Sequence, residues 1–401
     1  MSSCRSISVA IALSMALSPV MSHAASKEVV GEPAPGCVVA GQNAGGAGVS
    51  TEAGAGLPPQ LEMRTPVAPA YFSSGGRHYL VYEVQLRNLS DKAMDMRRFS
   101  VIDPDRPAMP LAVFSGDTLG KLLHPIGKEG DPAKAGILDE GRSTVAYLCL
   151  AFLPDSRLPA RLTHRIALSD ATLTGPDVTI DQAPLRVLGP PVKGGPWTAA
   201  GGPGNASHHR LGWFAVGGVA SISRRYAIDW KIIEKGSSFT GDALDVNAYH
   251  AYGKDVLAVA DGVVVSAHDG QPNNVPRTPA GFKTALPVTL GNVAGNFVIL
   301  DIGGGNYAEY AHLKPGSVQV KKGDRVARGQ MIGAIGASGD AREPHLHFQL
   351  SDTPSFFAGE GLPYAIDRFV LRDGQARSER VDELPVEDMQ VDFTGPATGT
   401  P

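Results

Sequence analysis

A chain of 401 residues exceeds one core of ordinary size, so two domains are expected. Hydrophobic residues make up 43% and charged residues 19%, a globular composition, and a net charge of −4 excludes the strong pull toward nucleic acid or anionic lipid that a basic chain would have. Short Val/Ile/Leu-rich runs punctuated by 48 glycines and 31 prolines, with few helix-period stretches, predict a mainly β protein.

In chain order, residues 1–24 read as a signal peptide. One early arginine precedes an apolar run from Val9 to Leu17, and small residues at Ser22 and Ala24 suit cleavage after Ala24. The run is too short to span a bilayer comfortably, and Cys4 stands before it, out of place for a lipid-anchored cysteine. The expectation is an exported protein, periplasmic or extracellular, with no membrane span. Residues 25–58 are rich in Gly, Ala and Pro and read as a flexible leader. Cleavage would leave Cys37 and Cys149; export permits a disulfide between them, and nothing in their spacing shows that they meet.

Residues 59–190 carry alternating strands such as "HYLVYEVQLRNLS", with Leu80, Tyr82, Val84 and Leu86 on one face, then "RSTVAYLCLAFL" and "ARLTHRIAL". They predict an antiparallel, immunoglobulin-like β-sandwich. His78, His124 and His164 have no acidic or cysteine cluster beside them and read as ordinary histidines. Residues 191–207 read as a Pro/Gly-rich linker, residues 208–371 as a second domain, and residues 372–401 as a disordered acidic tail.

The second domain holds seven histidines: His208, His209, His250, His268, His312, His345 and His347. In "EPHLHFQL", strand alternation puts His345 and His347 on one face, and Leu346 and Phe348 on the other. His250, His268 and Asn247 show no partner, and His268-Asp269 reads as a solvated turn. Residues 268–296 form a long loop expected to wall the substrate.

Together, "DVLAVADGVVVSA", "GNFVILDIGGGNYAEYAHLKPGSVQVKKGDRVARGQMIGAIGASG" and "EPHLHFQL" resemble the lysostaphin/LytM-type zinc endopeptidases over roughly residues 205–365. The resemblance implies an antiparallel β-sheet groove, one zinc ion, and cleavage of peptide bonds in peptidoglycan stems or cross-bridges. It makes Asp229 and His347 metal ligands, and His312 and His345 catalytic. That family's first ligand is a histidine four residues before the aspartate, where this chain has Arg225.

A substitute is available upstream. Gly217-Gly218 favours a two-residue hairpin turn that pairs Val216 with Val219. Continued outward, that register pairs Arg210 with Arg225 and His208 with Ala227, so His208 would project beside Asp229. A three-residue turn would flip the face and offer His209 instead. Arg224 and Arg225 must point opposite ways, so at most one faces the groove; Arg225 would there hold a substrate carboxylate or order Asp229, or else is a simple surface residue beside Arg224.

With three protein ligands, zinc keeps an open position for water, lowers its pKa toward 7 and polarises a scissile carbonyl. No HExxH glutamate is present, so His345 or His312 is the candidate base. The expected partner is peptidoglycan or a short peptide. The other reading is an inactive relative that binds peptidoglycan or regulates another hydrolase, with a regulatory protein as partner. "VKKGDRVARGQMIGAIG" also resembles the hammerhead of biotinyl carriers, but no lysine sits in its tight turn.

Overall fold

The computed structural model describes residues 30–42, 58–127, 136–278 and 281–393. The expected signal peptide lies outside the described residues. Among them, no helix is long and apolar enough to cross a membrane.

The chain is mainly β. Its N-terminal part is two six-stranded sheets packed face to face. The strands Arg77–Asn88 and Ser143–Phe152 run antiparallel at the centre of the first, with Tyr82 opposite Leu148. Met94–Ile102 and Arg161–Leu168 form the centre of the second. Leu80, Tyr82, Val84 and Leu86, the face expected from alternation, close on Phe99, Val101, Leu162 and Ile166. The opposite face of the same strand is buried too: Tyr79 and Val81 pack with Phe72, Trp197 and Tyr226 against the second domain. One sheet therefore serves two cores.

Burial here has a measurable consequence. His164 lies 2% exposed beside Tyr82, sharing a 3.0 Å hydrogen bond with its hydroxyl. Burial pushes its imidazole from 6.5 down to about 4. The unfolded chain binds that proton near 6.5 and the folded chain only near 4. Its contribution is complete above the unfolded value and is lost as pH falls from about 6.5 toward 4, by up to about 1.4 kcal/mol per pH unit. Urea unfolding of His164→Gln at pH 7 and pH 5 should show a shallower decline than wild type; equal declines would refute the assignment.

Among the described residues, the C-terminal part is built on an eleven-stranded sheet. Its centre runs Gly194–Ala200, Ile228–Lys231, Leu346–Ser351 and Tyr307–Leu313 in adjacent, antiparallel order. Three expectations change. The linker at 191–207 contains a central strand, Gly194–Ala200, because Trp197 and Ala199 face the core. The disordered tail at 372–401 instead holds the strands Ala376–Glu383 and Gln390–Phe393, anchored by buried Val391 and Phe393. The leader at 25–58 is tied down at Cys37, which is disulfide-bonded to Cys149 with Cα atoms 4.6 Å apart, while Val38–Val39 pairs with Leu150 and Ala151.

Candidate metal centre

Three neighbouring strands converge on one carboxylate. Asp229 lies on Ile228–Lys231, directly opposite His347 on Leu346–Ser351, and His347 in turn lies opposite Ala311. His345 stands just before its strand, bridged to Gly336. His312 ends Tyr307–Leu313 with φ +64°, a left-handed conformation that strains a non-glycine residue. Its N–H donates to Ala294 O at 2.9 Å and its carbonyl accepts from Gly336 N–H at 3.0 Å, which hold it there.

His347 Nδ1 is 3.0 Å from Asp229 Oδ1, His209 Nε2 is 3.3 Å from it, and His345 Nε2 is 3.4 Å. The His312 ring stands 4.9 Å from that of His345 and 6.0 Å from that of His347. All five residues are buried. His208 is different: its side chain is 67% exposed, with Nε2 4.0 Å from Asp229 Oδ2. His208, His209 and Asp229 each offer one ligand atom within 4.8 Å of the others.

Each buried imidazole is oriented by its far nitrogen. His209 Nδ1 donates to Gly201 O at 2.8 Å, His345 Nδ1 to Glu343 O at 2.7 Å, and His312 Nδ1 to Ser338 O at 2.9 Å. A carbonyl oxygen only accepts, so these nitrogens carry a proton, and the ring's other nitrogen is left facing the site. His347 Nε2 donates to Gln349 Oε1 at 2.9 Å, and Gln349 Nε2 donates to Glu309 Oε2 at 2.8 Å, which sets the amide. Burial raises the Glu309 carboxyl to about 8. Burial also holds His312 and His347 below the ordinary histidine value, hence neutral near pH 7. Burial alone would raise Asp229, but the His345 and His209 imidazoles beside it hold it well below the usual carboxylate range.

Histidine nitrogens thus gather on an ionised carboxylate, a set of groups that suits a cation. Imidazole nitrogen with one carboxylate is a zinc-type donor set. Donors bound at about 2.0–2.1 Å in a tetrahedron stand roughly 3.3–3.4 Å apart, close to the 3.0–3.4 Å seen here. By donor chemistry the residues fit the ion, with His208, His209 and Asp229 the group whose three ligand atoms are mutually within 4.8 Å and His347 reaching the same carboxylate oxygen. They open on a cavity of about 390 Å³ whose walls include Arg224, Lys231, Asp340, Phe356 and Phe357. Val293 and Ala294 bring one end of the 268–296 loop to its rim.

The register inferred upstream needs correction. Gly217 and Gly218 do turn the hairpin, with φ 60° and 85° and Val216 opposite Val219. The ladder stops at Phe214 and Ser221, however, so Arg210 does not pair with Arg225, nor His208 with Ala227. Residues 201–213 are turn and loop, and there His209 rather than His208 turns to Asp229 Oδ1. Arg225 neither faces the cavity nor orders Asp229. It is 2% exposed, with Nε 2.9 Å from Glu83 Oε2 and Nη1 2.9 Å from Glu360 Oε2. Arg224 is the arginine on the cavity wall.

His250 bonds Thr240 Oγ1, and Asp269 accepts from Gly316 N–H and Val318 N–H, so neither joins the site. Gln349 and Glu309 were missed from sequence. Gln349 was within reach of the same alternation, two residues beyond His347. No local signal marks the carbonyls of Gly201, Ser338 and Glu343.

The profile of Peptidase family M23 matches residues 242–356, which include His312, His345 and His347 but not His209 or Asp229. Peptidoglycan DD-endopeptidase ShyA of Vibrio cholerae serotype O1 is 34% identical over 90 residues, 21% of this chain and 20% of that protein. Cell division protein DipM of Caulobacter vibrioides is 31% identical over 121 residues, 30% of this chain and 16% of that protein. The chain thus spans a fifth or less of these relatives. The catalytic domain of the antimicrobial peptidase lysostaphin from Staphylococcus simulans aligns with a TM-score of 0.20 at 27% identity, over 32% of this chain and 88% of that one.

Proposed function

Residues 242–356 carry a peptidase family M23 domain, and on that premise we propose that the protein is an exported zinc metalloendopeptidase that hydrolyses peptide bonds of peptidoglycan. The carrying observation is the convergence of His209, His345 and His347 nitrogens on one buried oxygen of Asp229 at 3.0–3.4 Å. His209, Asp229 and His347 would hold the ion. Zinc bound there supplies a water of lowered pKa and a Lewis acid for the scissile carbonyl.

The chain's own groups do the rest. His345, held through Nδ1 by the Glu343 carbonyl, turns Nε2 toward the site, where it would accept the water proton. The imidazolium so formed returns that proton to the leaving amine. Lys231 Nζ at 2.8 Å from Glu343 Oε1 fixes the segment that supplies the carbonyl. His312, oriented by Ser338 O and with its ring 4.9 Å from that of His345, would order the water as a neutral imidazole. The relatives' names support peptidoglycan as substrate, and the Cys37–Cys149 disulfide supports an oxidising, extracytoplasmic compartment. In our reading the N-terminal sandwich is immunoglobulin-like.

The alternative is an inactive domain that binds peptidoglycan or regulates another hydrolase, favoured by Arg225 at the family's histidine position. Zinc content of the purified full chain, with digestion of isolated peptidoglycan by wild type and His345→Ala, separates the two. One zinc per chain in both proteins, with turnover down about 10²–10⁴-fold in the variant, supports the peptidase. Wild type that is metal-free, or metal-loaded without releasing peptide, would leave only the binding reading.

A further inference from the structure

We propose that the N-terminal sandwich is a structural part of the metal centre, and that Arg210 is the positioning residue that presents His209. The inference rests on the zinc reading above. Residues 201–213 form no strand, so no ladder sets where His209 stands. Its place is set by its neighbour. Arg210 is 0% exposed and reaches the outer face of the sandwich's first sheet, on the side of Tyr79 and Val81. Its Nε donates to Glu83 Oε1 at 2.9 Å, and its Nη2 donates to Tyr82 O at 2.6 Å and Leu148 O at 2.8 Å. Its Nη1 bonds Asn205 Oδ1, and Asn205 Nδ2 donates to Tyr147 O at 2.7 Å.

These acceptors, apart from Asn205, belong to the two central strands of the first sheet. The other wall of the loop is the disulfide-held leader: a Cβ at Gly36 would stand 2.7 Å from Asn205 Cβ. At the loop's entrance, Gly201 O accepts from both His209 Nδ1 and Ser207 Oγ, and a Cβ at Gly201 would stand 2.9 Å from the His209 ring. Glu83 completes the brace. Its Oε1 takes Arg210 and its Oε2 takes Arg225, four residues before Asp229. One sandwich carboxylate thereby ties together the segments that carry His209 and Asp229. A ligand absent from the strand is supplied by a loop whose position depends on another domain.

The test uses the full chain. Zinc affinity is measured by competition with a chromophoric chelator, the visible spectrum of the cobalt-substituted protein reports ligand geometry, and thermal unfolding reports folding. Arg210→Lys keeps the charge but not the fork, and Asn205→Ala is the milder variant should the first fail to fold. Val81→Ala trims the same interface without touching the loop. We expect zinc affinity to fall about 10–100-fold with an altered cobalt spectrum in the loop variants, and neither change in Val81→Ala. Wild-type affinity and spectrum in the folded loop variants, or an equal loss in Val81→Ala, would overturn the proposal. Wild type that binds no zinc would instead overturn the metal reading itself.

Discussion

His209→Ala is expected to lose zinc and peptide hydrolysis together, while His208→Ala stays within a few-fold of wild type in both. The two rings are 4.0 Å apart and adjacent in sequence, yet their situations differ. His209 is 2% exposed, with Nε2 3.3 Å from Asp229 Oδ1 and its other nitrogen committed to Gly201 O. It needs no reorganisation to bind an ion. His208 is mostly exposed, and ordering it would cost side-chain entropy. Losing His209 leaves two protein ligands and two buried imidazoles facing a carboxylate, so turnover should fall by at least about 10²–10³-fold, the cost of losing a single preorganised stabiliser. Metal analysis after dialysis, paired with peptide release from peptidoglycan, reads both effects. Retention of zinc by His209→Ala, or its loss from His208→Ala, would reverse the ligand assignment.

Arg225→His, which restores the family's spacing to Asp229, is expected to destabilise the protein by about 3–5 kcal/mol without strengthening zinc binding. The guanidinium is engaged elsewhere: Glu83 Oε2 and Glu360 Oε2 each at 2.9 Å, and Gly361 O at 3.4 Å. Burial alone would raise the Glu83 carboxyl, and the Arg225 and Arg210 guanidiniums more than offset it, so Glu83 stays ionised inside the interface. An imidazole at position 225 cannot span both carboxylates. It would leave Glu83, itself 2% exposed, with half its neutralising charge. Urea unfolding and zinc titration of this variant decide the matter. A stability change below 1 kcal/mol, or a tighter metal site, would show that position 225 faces Asp229 after all.

Both predictions depart from what spacing suggests, and the reason is instructive. Strand alternation sufficed to put His345 and His347 on one face, and the two glycines sufficed to turn the hairpin at 217–218. Extrapolating that hairpin failed because a ladder continues only while backbone pairing is the best use of both strands. At Arg210 a better use existed, in the charged cradle of Glu83 and two strand carbonyls. The strand Gly194–Ala200 was hidden for a related reason. Its Gly-Gly-Pro start reads as a breaker, while its partners, Ile228–Lys231 and Gln390–Phe393, lie far off in sequence. Likewise Ala376–Glu383, charged and mostly exposed, shows little alternation, and its neighbour Tyr364–Asp373 holds it in the sheet.

The sequence by itself determined the β class, the two-histidine face and the turn chemistry, since each depends on steric preferences spanning a few residues. Tertiary structure alone decided that His209 approaches Asp229 Oδ1 from a buried position while His208 stands exposed 4.0 Å from Oδ2, and that Arg225 braces an interface rather than the cavity. Those outcomes hang on a carboxylate 127 residues before Arg210 and 142 before Arg225. Burial of charge rewards such distant pairing strongly, and no local pattern records it.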